Sequence, residues 1–121
     1  MSDRETTFAE IKEKIREFSL ERDWIQFHTP KNLSMALTAE AGELMECYLW
    51  TESGNSLKTM DNPKKAQEIR EEIADIIIYA LEFCNITGID ISEAIHQKMK
   101  QNAAKYPIEK AKGNCSKYTE L

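Results

Sequence analysis

The chain is short of the residues that would point to several familiar classes. It has only three cysteines, Cys47, Cys84 and Cys115, an odd number with no paired spacing. That excludes a disulfide framework and a cysteine zinc site, and reads as reduced thiols in a cytoplasmic protein. Four glycines and three prolines in 121 residues are too few for a collagen-like or low-complexity chain. The longest unbroken apolar run, Ile76-Ile77-Ile78-Tyr79-Ala80-Leu81, is far too short to span a bilayer. The start, Met1-Ser2-Asp3-Arg4-Glu5, shows no basic segment leading into an apolar one, so no signal peptide is expected. There is no basic excess either. The net charge of −5 argues against a general nucleic-acid binder, although an anionic substrate held through metal ions stays compatible with it.

What is present is helical. Apolar residues make up 41% and charged residues 31%, a globular balance that excludes a disordered acidic tail. Phe8, Ile11, Ile15 and Phe18 step by three or four and form the stripe of a first helix over residues 7–22, with Thr7 and Glu10 at capping-box spacing. The aromatic segment around Trp24, broken by Pro30, reads as a loop. A second helix is expected over residues 33–50 with Asn32 as N-cap, its stripe Leu33, Leu37, Leu44 and Tyr48, followed by a polar stretch to Asp61. Asn62-Pro63 opens a third helix to about Asn85, with Gly88 behind it. Its second half, residues 73–83, is apolar nearly all round, which predicts burial on more than one side and hence an oligomer. A fourth helix starts at Asp90 with capping-box spacing to Glu93, carries Ile91, Ile95 and Met99, and stops before Pro107. No strand pattern competes. The expectation is an all-α chain of four helices, one domain over residues 1–107 with a tail at 108–121.

Two carboxylate pairs carry the chemistry, Glu40-x-x-Glu43 and Glu72-x-x-Asp75, with Glu71 as an alternative partner for Asp75. A three-residue step advances about 4.5 Å along a helix and leaves both side chains on neighbouring azimuths. If the two helices face each other, four carboxylates converge, and they cannot all stay ionised without cations. Mg²⁺ is the hard, oxygen-seeking ion that fits, with Mn²⁺ able to substitute. The bland alternative is a solvated acidic face, and spacing alone favours it. The small residues Ala39, Ala41, Gly42 and Ala74 would let the helices approach and leave room for a ligand. Glu93-x-x-His96 has the spacing of di-iron bundles, but those need the motif twice, and the chain's second histidine, His28, has no such partner.

These residues resemble a known family. Arg22-Asp23-Trp24-Ile25-Gln26-Phe27-His28 with Pro30 and Asn32-Leu33, the motifs Glu40-Ala41-Gly42-Glu43-Leu44 and Glu71-Glu72-Ile73-Ala74-Asp75, then Lys98-Met99, Asn102, Lys105-Tyr106-Pro107 and the ending Lys117-Tyr118-Thr119-Glu120-Leu121 are similar to the MazG-like all-α nucleotide pyrophosphohydrolases, and to their dCTP pyrophosphatase branch most of all. The first acidic motif departs from that branch, where Gly-Glu-Val-Gly-Glu is frequent. The resemblance implies a four-helix MazG-like bundle assembled as a dimer or a dimer of dimers. It implies a cytoplasmic enzyme of nucleotide pool sanitation that hydrolyses a deoxynucleoside triphosphate, dCTP or a modified dCTP first, to the monophosphate and pyrophosphate with Mg²⁺. Broader base choice (dATP, dUTP) and a non-catalytic helical binding or oligomerisation module are the alternatives. By the same resemblance Glu40, Glu43, Glu72 and Asp75 are metal ligands and Glu71 a candidate base. Lys98, Asn102, Lys105 and Tyr106 are phosphate contacts, the tail packs on or near the site, and Trp24, His28, Trp50 and Tyr79 are nucleoside contacts.

Overall fold

The computed structural model describes all 121 residues, and no strand is present. Four long helices follow in order: α1, Phe8–Glu21; α2, Pro30–Glu46; α3, Pro63–Thr87; α4, Ile91–Lys105. A four-residue helix, α5 (Ile108–Ala111), and three 3₁₀ segments at Ile25–Phe27, Ser53–Asp61 and Tyr118–Glu120 complete the chain. It forms two compact units, Met1–Gly88 and Ile89–Leu121.

Local chemistry sets most boundaries. The capping box of α1 is complete: Thr7 Oγ1 accepts from the Glu10 N–H at 3.2 Å, and Glu10 Oε2 accepts from the Thr7 N–H at 3.0 Å. The helix ends in a Schellman turn, with the Asp23 N–H bonded to Leu20 O and the Trp24 N–H to Ser19 O. Asp23 takes φ 54 there, the left-handed region that a short polar side chain tolerates.

The start of α2 differs from expectation. Thr29, not Asn32, is the N-cap; its Oγ1 accepts from the Asn32 N–H at 3.1 Å, and Pro30 takes the first helical position, where its missing N–H costs nothing. Pro30 opens the helix instead of breaking a loop. The Asn32 side chain donates to Phe27 O at 3.0 Å, tying the 3₁₀ turn to the helix. The helix also ends earlier than Trp50. After Glu46 the backbone bonds tighten to i→i−3, as from Tyr48 N–H to Met45 O. The segment expected as a polar stretch winds as 3₁₀ helix, and the tail is not structureless: Tyr118 packs edge-on to Tyr106 with the Lys105 ammonium 4.8 Å from its ring centre. Asn62 caps α3 through two backbone N–H bonds to its Oδ1, and Gly88 at φ 77 closes it.

Within residues 1–88, α3 is the central element, packed against α2, α1 and the Ser53–Asp61 segment. The core is small: Leu33, Ala66, Ile69, Leu81 and Cys84. The expectation that the second half of α3 is buried on more than one side is not met within one chain. Ile73, Ile77 and Ile78 stay 45%, 44% and 42% exposed, because α1 and α2 cover only part of its circumference. In the second unit, the stripe of α4 is likewise open at Ile95 and Met99.

Candidate active site: a carboxylate cluster beside an apolar cavity

Both acidic motifs lie well inside their helices, so their side-chain directions follow helical phase. The packing of α2 on α3 brings Glu40, Glu43 and Glu72 together, one carboxylate oxygen of each within 4.8 Å of the others. Glu40 Oε2 and Glu72 Oε2 are buried and receive no hydrogen bond from a donor group of the chain, so the only bond open to them is one made with a carboxyl proton of the cluster itself. Ionised carboxylates are acceptors only, so two of them face to face require a shared proton or a cation. The titration behaviour says the same. The hydrogen bond with Glu40, then burial, then Glu43 push Glu72 up to about 7. Glu40 is pulled down by the hydrogen bond from Glu72, but Glu43, burial and the Asp75 charge outweigh it and leave Glu40 above the ordinary carboxylate value. A carboxyl group that holds its proton near neutrality because of other carboxylates is a place where a divalent cation fits: it satisfies the orphaned oxygens and offsets the repulsion.

Asp75 stands outside this tight group, one turn beyond Glu72, and lines a neighbouring cavity of about 470 Å³. Ile11, Ile15 and Phe18 of α1 line one wall, Ile78 and Tyr79 of α3 another, with Trp24 and His28 from the connecting segment. The stripe of α1 thus faces a cavity, and Phe18 and Trp24 meet edge-on at 5.6 Å between ring centres. Of the four residues assigned to the nucleoside, Trp24, His28 and Tyr79 share this cavity, whereas Trp50 lies in the turn after α2, 94% exposed. Glu71 is not part of the tight group; its Oε1 accepts from Gln67 Nε2 at 3.2 Å. Lys98, Asn102, Lys105 and Tyr106 belong to the second unit. Gly42 is not a close-approach glycine: a Cβ there would meet nothing within 4 Å.

One group was not singled out from the sequence. Glu82, 2% exposed, accepts from Ser19 Oγ at 2.7 Å, pairs with His28 Nδ1 at 2.9 Å, and accepts from Asn85 Nδ2 at 3.1 Å. Asn85 in turn donates to Lys12 O. The available signal was a lone carboxylate inside the apolar run that ends α3. Asn85 is an i+3 neighbour on α3, but the other two partners, His28 and Ser19, lie 54 and 63 residues away, beyond any local pattern.

A helical scaffold that converges carboxylates from two helices next to an aromatic-lined cavity has the chemistry to hold a divalent cation beside an apolar ligand, as metal-dependent enzymes acting on small molecules do. Comparison with known proteins narrows it. The sequence profile of the MazG-like family matches residues 35–121, and the chain belongs to that family. It is similar to the proteins named dCTP pyrophosphatase 1 of Rattus norvegicus and Homo sapiens, 36% and 37% identical over 117 residues, which is 97% of this chain and 69% of each relative. Among solved structures it resembles a pyrophosphatase from Archaeoglobus fulgidus, with a TM-score of 0.78 and 35% identity over 88% of this chain and 98% of that one. The resemblance read from the motifs is borne out, and the chain is an enzyme of the pyrophosphatase type.

Proposed function

We propose that the protein is a Mg²⁺-dependent nucleoside triphosphate pyrophosphohydrolase. It hydrolyses a deoxynucleoside triphosphate, dCTP or a modified dCTP first, to the monophosphate and pyrophosphate by water attack at the α-phosphorus. The observation that carries this reading is the pair of orphaned buried oxygens, Glu40 Oε2 and Glu72 Oε2, beside an apolar, aromatic-lined cavity of nucleoside size. The names of the relatives supply the substrate class.

In this reading Glu40, Glu43 and Glu72, with Asp75 in the cavity lining, would hold Mg²⁺, which would supply charge neutralisation of the triphosphate and a water of lowered pKa. The chain's own residues do the rest. Ile11, Ile15, Phe18 and Ile78 exclude water from the nucleoside. Trp24 and Tyr79 offer aromatic faces, a stacking contribution of about 1–3 kcal/mol per base. Glu71, next to Glu72 in the chain but bonded to Gln67 and outside the tight carboxylate group, is assigned as the candidate base on the resemblance alone. Lys98, Asn102, Lys105 and Tyr106 are assigned to the phosphates, the 108–121 tail to the edge of the site and Trp50 to the nucleoside, all on the resemblance. The working form is a dimer or a dimer of dimers, supported by the exposed Ile73, Ile77 and Ile78. The three free cysteines support a cytoplasmic location.

The test is release of pyrophosphate from a panel of canonical and modified nucleoside triphosphates with Mg²⁺ and with EDTA. Mg²⁺-dependent pyrophosphate plus monophosphate, with cytosine nucleotides ranked first, is the expected result. Orthophosphate would mean that a different bond is cut. Sedimentation of a stable folded monomer at working concentration would overturn the assembly.

A further inference from the structure

The cavity's lining is polar at two places. One is formed by Lys14 and Asp75 and the other, two turns from Asp75 along α3, by Glu82 with His28. Glu82 does not resemble the carboxylates of the cluster. Its Oε2 takes two donors, Ser19 Oγ–H and His28 Nδ1, and its Oε1 takes Asn85. A carboxylate accepts and never donates, so the Nδ1 that meets it at 2.9 Å must carry a proton. The partner of one ring nitrogen sets the state of the other. Nε2 is then the polar atom His28 has left for the cavity it lines.

We propose that Glu82 is a positioning residue for base choice: it locks His28 in the Nδ1–H tautomer, and the bare Nε2 reads a hydrogen-bond donor on the base. The group recognised is an exocyclic amine, as on cytosine or adenine, in preference to the carbonyl that uracil or thymine presents at the same place. The apolar walls sharpen this choice, because a base carbonyl placed against an acceptor lone pair there has no water to turn to. Ser19 and Asn85 hold Glu82 in place. The proposal rests on the nucleotide reading of the site, since it assigns a base to this cavity.

Two measurements test it separately from turnover. The first is the ¹⁵N shift pattern of the His28 ring in the ¹⁵N-histidine-labelled protein, with His96 assigned by its own variant. The Nδ1–H tautomer is expected in the wild type; an Nε2–H tautomer or an imidazolium overturns the proposal. The second is binding of the monophosphates dCMP and dUMP by calorimetry. One well-placed hydrogen bond implies a preference for dCMP of about tenfold. Glu82→Gln puts an amide N–H where an acceptor was, and should bring the ratio below about threefold. Equal ratios in wild type and Glu82→Gln assign Glu82 a purely structural role and overturn the proposal. If Glu82→Gln does not fold, the wild-type tautomer and the ratio in His28→Phe, which keeps a ring and removes Nε2, decide it: a ratio that stays near tenfold in His28→Phe overturns the proposal. Failure of the pyrophosphohydrolase reading would appear differently, as no pyrophosphate from any triphosphate, and would leave the tautomer measurement standing.

Discussion

Two carboxylates of α3, Glu72 and Glu82, sit nearly three helical turns apart and behave as opposites. Glu82 is the more deeply buried, yet each of its oxygens has a donor: a hydroxyl, an imidazole and an amide. Glu72 is only half-buried, yet its Oε2 has none, and the groups facing it are Glu40 and Glu43. Burial alone therefore does not mark a metal site. The count of donors against acceptors does: where acceptors meet acceptors, a proton or a cation must make up the deficit.

Substitutions can break or sharpen this contrast. The largest effect is on turnover. Glu43→Gln and Asp75→Asn should each lower pyrophosphate release by on the order of a thousandfold, since each removes part of the charge that holds the ion, while circular dichroism stays native. Unchanged release in both would sink the ligand assignment.

Stability should respond the other way round. Glu82→Ala strands the hydroxyl, imidazole and amide donors and opens space, costing about 2–4 kcal/mol by urea denaturation. Glu72→Gln instead supplies a donor among acceptors, and should raise the melting temperature of the metal-free protein. Equal destabilisation by both substitutions would erase the distinction.

A smaller effect is expected from the ion itself. Mg²⁺ at one hundred times its Kd should stabilise the wild type by about 2.7 kcal/mol and the Glu72→Gln variant by less. The pH dependence follows from the value of about 7 for Glu72, above the 4.5 of an unhindered carboxyl. A raised folded value means that the metal-free fold gains from this proton below about 4.5 and loses that gain as pH rises through about 7. Mg²⁺ displaces the proton, so its affinity should tighten over the same interval, as calorimetry in two buffers would show through proton release. A flat profile would mean that the two glutamates do not share a proton. The smallest effect concerns the turn that leads to Trp24 and His28. Asp23→Gly suits φ 54 and should be nearly neutral, whereas Asp23→Val should cost about 1–2 kcal/mol by denaturation.

Much of the fold was legible because its signals are local. Thr7 and Glu10, Asn62-Pro63, Gly88 and Asp90 act over at most four residues, and each sits at the boundary expected of it. Pro30 misled for a related reason: a proline breaks a helix interior and opens a helix N-terminus, and only the Thr29 cap decides which. The apolar half of α3 was legible as a face that wants covering, but not as one that a single chain leaves open. Lys98, Asn102 and Lys105 share a face of α4 by their spacing, while their role comes from the resemblance.

By itself, the sequence determined an all-helical chain, the helix that carries each acid, and the face on which each pair lies, because helical phase is set by backbone geometry within a few residues. Tertiary structure alone decided that Glu40, Glu43 and Glu72 meet while Asp75 turns to the cavity. It alone decided that Trp24, His28 and Tyr79 share that cavity while Trp50 stands in the turn after α2, and that Ser19 and His28 converge on Glu82. Those outcomes depend on how helices cross and which rotamers their packing leaves open, and residues 54 and 63 positions apart carry no local record of either.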